Sequence, residues 1–159
     1  MRESMDLRGH VTLQLINQAG EIVQSISRQN HVVTAGRQLV AELFAGGIPV
    51  AKVNHIAVGT GDYPPENNQT QLMDERARNP IAEVSFVPAA DDTRVTARLK
   101  IIFDSDQAND PDTPNHPVPL REAGIFNAAS GGIMYNRVVF EPVYKTDAFQ
   151  LVMMWDVTF

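Results

Sequence analysis

Cysteine is absent from the 159 residues of this sequence, which excludes disulfides, thiolate metal sites and a cysteine nucleophile. The sequence also has no apolar run near the roughly 18 residues that a membrane-spanning helix requires. Its first segment, MRESMDLRGH, is polar and lacks the apolar core of a signal peptide. We therefore expect a chain that is made in the cytoplasm and has no membrane contact.

Clusters of basic residues are missing as well. The 13 Lys and Arg residues are scattered singly among 19 Asp and Glu, and the formal net charge is −6. Proteins that bind nucleic acid normally carry a basic stripe that neutralises phosphates. The composition therefore argues against nucleic-acid binding as the main role of the chain.

Alternating apolar and polar residues predict strands along most of the sequence, which has the length of one domain covering residues 1–159. In the last of these strands, six apolar residues from Phe149 to Phe159 share one face at a period of two. The predicted strands are 11–16, 22–26, 53–58, 81–87, 95–103, 122–126, 133–140 and 149–159, with a turn at Asp91-Asp92. We therefore predict a mainly β fold with one main α-helix: an antiparallel β-sandwich or curled sheet of seven or eight short strands, with the helix packed on it.

Residues 35–45 form the best helix candidate. Thr34 is a plausible N-cap, and Gly46-Gly47 would stop the helix. Its apolar residues, Leu39, Val40, Leu43 and Phe44, fall on one helical face. Residues 72–78 form a second, shorter candidate, which Pro80 would end.

Two long irregular segments, residues 59–70 and 104–119, are predicted to be exposed loops, and we expect at least one of them to order against a neighbouring chain. The second is the best metal candidate, because hard carboxylates at close spacing suit calcium. These carboxylates are Asp104, Asp106, Asp110 and Asp112. The segment lacks the glycine and the bidentate Glu of an EF-hand loop, so an acidic surface loop is the alternative interpretation. We expect no cofactor.

Motifs for catalysis are not apparent in the sequence. The Gly59-Thr60-Gly61 triplet is not followed by the Lys-Ser or Lys-Thr of a phosphate loop. The four His residues are too widely spaced to indicate a metal site, and no Gly-x-Ser-x-Gly elbow occurs. We therefore predict a protein that is not an enzyme.

Glu122 lies inside the apolar run REAGIF, where it is expected to be at least partly buried. A buried carboxylate needs a cationic partner or backbone donors. We expect Arg78 to be that partner, with Arg37 as the second candidate, and a solvated Glu122 as the alternative.

Five segments in this order resemble a pattern found in phage tail proteins, including the N-terminal domains of tail-collar fibre proteins and small baseplate subunits. The segments are HVVTAGRQLVAELF, HIAVGTG, TQLMDERAR, REAGIF and MYNRVVFEPVYKTDAFQLVMMWDVTF. They span about four-fifths of the chain. Within them, the residues for which we expect a structural role are Gly36, Gly59, Gly61, Arg78, Glu122 and Gly124.

The resemblance implies a structural subunit of a phage or phage-like injection particle. We expect a connector, adaptor or fibre- or baseplate-associated protein, because no repetitive shaft or receptor-binding tip follows the closing strand. The expected partners are other virion proteins and further copies of the chain, in three-fold or six-fold symmetry. A head or neck component, such as a decoration or collar protein, is the first alternative. A carbohydrate-binding β-sandwich module is the second, although aromatic residues make up only 7% of the sequence.

Overall fold

The computed structural model describes residues 6–88 and 93–159. In these residues it contains ten strands and one helix, in the order β1 Arg8–Asn17, β2 Ile22–Gln29, β3 His31–Val32, α1 Thr34–Ala45, β4 His55–Gly59, β5 Glu75–Pro80, β6 Glu83–Pro88, β7 Val95–Phe103, β8 Val118–Phe126, β9 Met134–Lys145 and β10 Phe149–Thr158. The predicted turn at Asp91-Asp92 lies outside the described residues.

The strands form two antiparallel sheets of five strands that pack as a sandwich. Sheet A has the order β2-β1-β10-β7-β6, and sheet B has the order β3-β9-β8-β4-β5. The prediction of a mainly β fold with one main helix is therefore confirmed. Strands β1 and β2 pair as a hairpin. Its turn contains Gly20 at a φ of 80°, and the Asn17 side chain accepts the N–H groups of Ala19 and Glu21.

The core between the sheets follows from the alternation seen in the sequence. In β10, Leu151, Met153, Trp155 and Val157 are all buried, and burial of such side chains stabilises a fold by about 1.5–3 kcal/mol each. The Trp155 indole N–H donates to Asn30 Oδ1 at 2.7 Å. Because β10 pairs with β1 on one side and β7 on the other, it is a central strand of this chain's own sheet.

Helix α1 ends at Ala45 with Gly46 as its C-cap, as predicted, but its N-terminus and its apolar face differ from the prediction. Its N-cap is Val33, without a side-chain hydrogen bond, and Thr34 is the first helical residue. Leu39 is buried, but Phe44, predicted on the same face, is 94% exposed. Phe44 lies in the last turn of α1, at the edge of the apolar stripe. Within the described residues, no helix is long and apolar enough to cross a membrane.

Two other expectations for secondary structure were wrong. Residues 72–78 are not a helix, because Glu75–Pro80 forms β5 and pairs with β4 at the edge of sheet B. Tertiary pairing therefore overrides the local helical pattern. Strand β8 begins at Val118 rather than at Glu122, since its first residues pair with the end of β9. The two long loops accordingly cover residues 60–74, here called the first loop, and 104–117, the second loop.

Candidate functional site: two loops held by buried charges

A buried ion pair lies on the outer face of sheet B. Glu122 of β8 and Arg137 of β9 are both fully buried, and Arg137 Nε donates to Glu122 Oε2 at 2.9 Å. Arg137 Nη2 is also 2.9 Å from that oxygen, although at an angle unsuited to a hydrogen bond. The two residues are diagonal neighbours, since Glu122 pairs with Val139 and Arg137 with Gly124.

Backbone donors from the first loop complete the environment of the Glu122 carboxylate. Oε1 accepts the N–H groups of Gly61 at 3.0 Å and Asp74 at 2.7 Å, and Oε2 accepts the N–H of Met73 at 3.0 Å. Both ends of the first loop are thus bonded to one buried charge. Such charge-assisted bonds are stronger than neutral ones.

Glycines allow the close approach of the first loop to Glu122. A Cβ added at Gly59 or at Gly61 would lie 2.6 Å from Glu122 Oε1, closer than carbon and oxygen approach without a bond. Gly124 makes room for the backbone of β9, because a Cβ there would lie 2.8 Å from Asn136 O. Gly36 has the same role in α1, where a Cβ would lie 1.9 Å from Tyr135 O.

The Arg137 guanidinium holds the middle of the first loop. Nη1 donates to Tyr63 O at 2.6 Å and to Gln69 Oε1 at 3.2 Å. The loop also carries Leu72, which packs into a small second core on the outer face of sheet B. The other buried members of this core are Val33, Ala57, Phe126 and Met134.

The expected pairing of Glu122 with Arg78 or Arg37 was wrong. Arg78 instead donates to the carbonyl oxygens of Ala128 at 3.0 Å and Gly131 at 2.8 Å, pairs with Glu75, and lies 3.8 Å above the Phe126 ring. It therefore holds the β8–β9 turn. The sequence signal for the true partner was an arginine inside the apolar run MYNRVVF, where a charge must be buried and paired.

A buried lysine holds the second loop. Lys145, at the end of β9, is fully buried. Its Nζ donates to Asn109 Oδ1 at 2.8 Å, to Thr146 O at 2.9 Å and to Ser105 O at 3.4 Å. Burial lowers the pKa of Lys145 to about 8, although the nearby Asp106, Asp147 and Asp104 act in the opposite direction.

The four aspartates proposed for calcium do not converge in the second loop. Asp110 Oδ1 accepts the N–H groups of Asp112 and Thr113, which lowers the pKa of the Asp110 carboxyl, and Asp104 Oδ1 accepts from Gln150. Across residues 6–88 and 93–159, no group of three or more His, Asp or Glu side chains is placed to hold a metal ion. The cation among the oxygens of this loop is the Lys145 ammonium.

The two loops leave the sandwich at the same end. The first follows the end of β4 and the second precedes β8, and these strands are antiparallel. Most side chains of both loops are exposed, yet their backbones are bonded to buried charges of the same chain. The arrangement can present two ordered polar loops side by side.

Comparisons with known proteins provide no relative from which to infer an activity. Scans against protein-family models, curated proteins and solved structures find no match to this chain. The functional argument therefore depends on the contacts described above and on the segment resemblance.

Proposed function

We propose that this chain is a non-enzymatic structural subunit of a phage tail or a phage-like injection particle. It acts as a connector, adaptor or fibre- or baseplate-associated protein through assembly with other virion proteins and with further copies of itself. We also propose that the chain is located in the particle and assembles with three-fold or six-fold symmetry. The proposal includes neither a nucleic-acid partner nor a membrane partner.

One observation carries the proposal. Hydrogen-bonding groups of four resembling segments meet at one buried centre. They are the backbone N–H groups of Gly61 in HIAVGTG and of Met73 and Asp74 in TQLMDERAR, and the side chains of Glu122 in REAGIF and Arg137 in the last segment. These groups are far apart in the sequence, and the fold brings them into direct hydrogen-bond contact. The convergence supports the interpretation of the segments as one structural unit.

The exposed, pre-ordered loops also favour assembly. A loop that is already ordered loses little entropy on docking, so its contacts contribute more fully to binding. Both loops are held within the chain before any partner is present. This is a property that a connector between other proteins would need.

The test is to purify particles from the organism that encodes the chain and to measure the chain by quantitative mass spectrometry, with and without deletion of its gene. We expect a fixed ratio of the chain to the tail-tube protein, and tails that are incomplete or unattached after deletion. Complete particles that lack the chain would refute the proposal. Tail-free heads or free tails after deletion would distinguish a neck position from a baseplate position.

A further inference from the structure

The end of the sandwich opposite the two loops carries an exposed apolar surface. It is formed by the last turn of α1 and the segment after it, by strand β6 with its partner β7, and by the final residue. Its members, here called the end patch, are Leu43 (45% exposed), Phe44 (94%), Ile48 (74%), Val84 (56%), Phe86 (70%), Val95 (49%) and Phe159 (43%).

The sheet side of the end patch is a part of the inner face that sheet B leaves uncovered. Phe86 pairs with Ala97 and Val84 with Leu99, and paired residues lie on the same face of a sheet. Leu99 is a buried core residue. Val84 and Phe86 therefore point in the direction of the core, and remain exposed because nothing among the described residues covers this corner.

An apolar slot of about 120 Å³ opens between the two sides of the end patch. Leu39 and Leu43 of α1 line one wall, and Ala97, Val157 and Phe159 of sheet A line the other. Tyr135 also lines the slot, and within the described residues its buried hydroxyl has no hydrogen-bond partner. A closed apolar cavity of about 150 Å³ holds a whole benzene molecule. This slot is somewhat smaller but open to the surface, so it has room for most of an aromatic ring.

The edge strand β6 is left open beside this slot. Edge strands are normally protected by charges, proline or a covering element. Strand β2 is bridged to β9 by Arg28–Glu141, and β5 carries Glu75, Arg76 and Arg78. Strand β6 is exposed at all six residues. Its one charge, Glu83, and its proline, Pro88, stand at its two ends, so the four residues between them have neither form of protection.

The area of the end patch matches an interface between protein chains. Taking 150–250 Å² for a whole aromatic residue and somewhat less for an aliphatic one, the seven residues expose about 700 Å². The largest apolar patch of a typical monomer is roughly 300–600 Å². A stable dimer buries about 800 Å² of polar and apolar area on each partner, so the end patch can supply the apolar centres of two such contacts.

We infer that neighbouring copies of this chain cover the end patch, with Phe44 of one copy seated in the slot of the next. Each copy carries both the projecting ring and the slot that fits it, and the two are different features of the surface. Such a contact is heterologous, so it closes into a ring when the rotation between copies allows. The inference deepens the proposed function, because it names the surface through which copies of the chain join. It depends on the proposed function only for the expected number of copies, three, in the closed ring.

The test starts from the molecular mass of the purified full chain in solution, by size-exclusion chromatography with light scattering. We expect a closed oligomer of three copies of the 17.5-kDa chain. The variants Phe44→Asp and Phe159→Arg should each be monomeric with an unchanged circular dichroism spectrum, because both residues are substantially exposed. The matched control is Ile22→Lys, which changes a 55% exposed residue at the far end of sheet A and should leave the oligomer intact.

Mixing the two monomeric variants tests the type of contact. The Phe44→Asp chain retains its slot and the Phe159→Arg chain retains Phe44, so they should form a one-to-one dimer that cannot grow further. A monomeric wild-type chain, or an oligomer unaffected by both substitutions, would overturn the inference. A wild-type dimer would overturn the heterologous arrangement. These outcomes are separate from the particle experiment, which can fail while the oligomer persists.

Discussion

The substitution Glu122→Gln removes one negative charge while keeping the shape of the side chain. In the native chain, Oε1 accepts two backbone N–H groups, and Oε2 accepts one backbone N–H and the Arg137 guanidinium. A glutamine supplies an oxygen at one position and an NH₂ group at the other. In either orientation of the glutamine, two N–H donors of the protein face its NH₂ group, which cannot accept a hydrogen bond from them.

The cost of this substitution can be estimated from the burial of the pair. Breaking a buried ion pair by removing one partner costs about 3–5 kcal/mol, because the remaining charge stays buried without compensation. Arg137 and Glu122 are both fully buried, so the upper part of the range applies. Since 1 kcal/mol shifts the melting temperature of a domain this size by about 2–4 °C, we expect a decrease of about 10 °C or more.

The assay is equilibrium unfolding in urea, with Glu141→Gln as the matched control. Glu141 also pairs with an arginine, Arg28, but its side chain is 62% exposed. Exposed pairs contribute about 0–1 kcal/mol, so the control should unfold close to the wild-type midpoint. Amide exchange at Met73 and Asp74 should increase in Glu122→Gln alone, because their N–H groups lose the carboxylate.

A change below about 0.5 kcal/mol in Glu122→Gln, or one equal to that of the control, would refute the argument that the pair holds the fold. The double variant Glu122→Leu/Arg137→Met provides a second check. Replacing a buried ion pair by apolar residues often restores stability. We therefore expect the double variant to be more stable than the sum of the two single changes predicts.

Three further outcomes follow from the other buried charges. In the native chain the pKa of Lys145 is about 8, so between pH 8 and pH 10.5 the unfolded chain binds more protons at this residue than the native chain. The free energy of unfolding of the wild type should therefore rise relative to that of Lys145→Met across this window, as measured by urea titrations. Deletion of residues 106–115 should lower the melting temperature in calorimetry, because it removes the Asn109 oxygen from a buried ammonium, and an unchanged melt would contradict this role. Arg78→Ala should cost about 2 kcal/mol in urea unfolding, against less than about 0.5 for the more exposed Arg76→Ala.

The strands with one buried face could be predicted from the sequence, because alternation is a local signal. Strand β10 is the clearest example, with its buried residues at every second position. Strand β5 could not be predicted in this way. Its sequence, ERARNP, has no apolar face, and it is a strand only because β4 offers a pairing edge.

The buried carboxylate could be predicted, but not its partner. Glu122 stands within an apolar run, which indicates burial. Its partner depends on the register between β8 and β9, which shifts at a bulge between Leu120 and Glu122. Arg137 is closer to Glu122 in the sequence than Arg78 or Arg37, but it reaches the carboxylate only because this register makes the two residues diagonal neighbours.

The role of Lys145 had no local signal. It follows Tyr144, which is 52% exposed, at the end of an ordinary strand. The aspartates of the second loop make calcium a candidate from the sequence, with an acidic surface loop as the alternative. The sequence could not show that the chain supplies a cation itself from a residue 36 positions beyond Asn109.

The two ends of the sandwich are stabilised in opposite ways. At the loop end, buried charges are bonded to backbone groups of the same chain, so the exposed loop surface is polar and already ordered. At the other end, Phe44 and Phe86 are exposed without any covering group among the described residues. Ordered polar loops bind without a large entropic loss. Exposed apolar surface, in contrast, contributes favourable free energy only when another chain covers it. A subunit with these two ends would join copies of itself through the apolar end and present its loops to different partners.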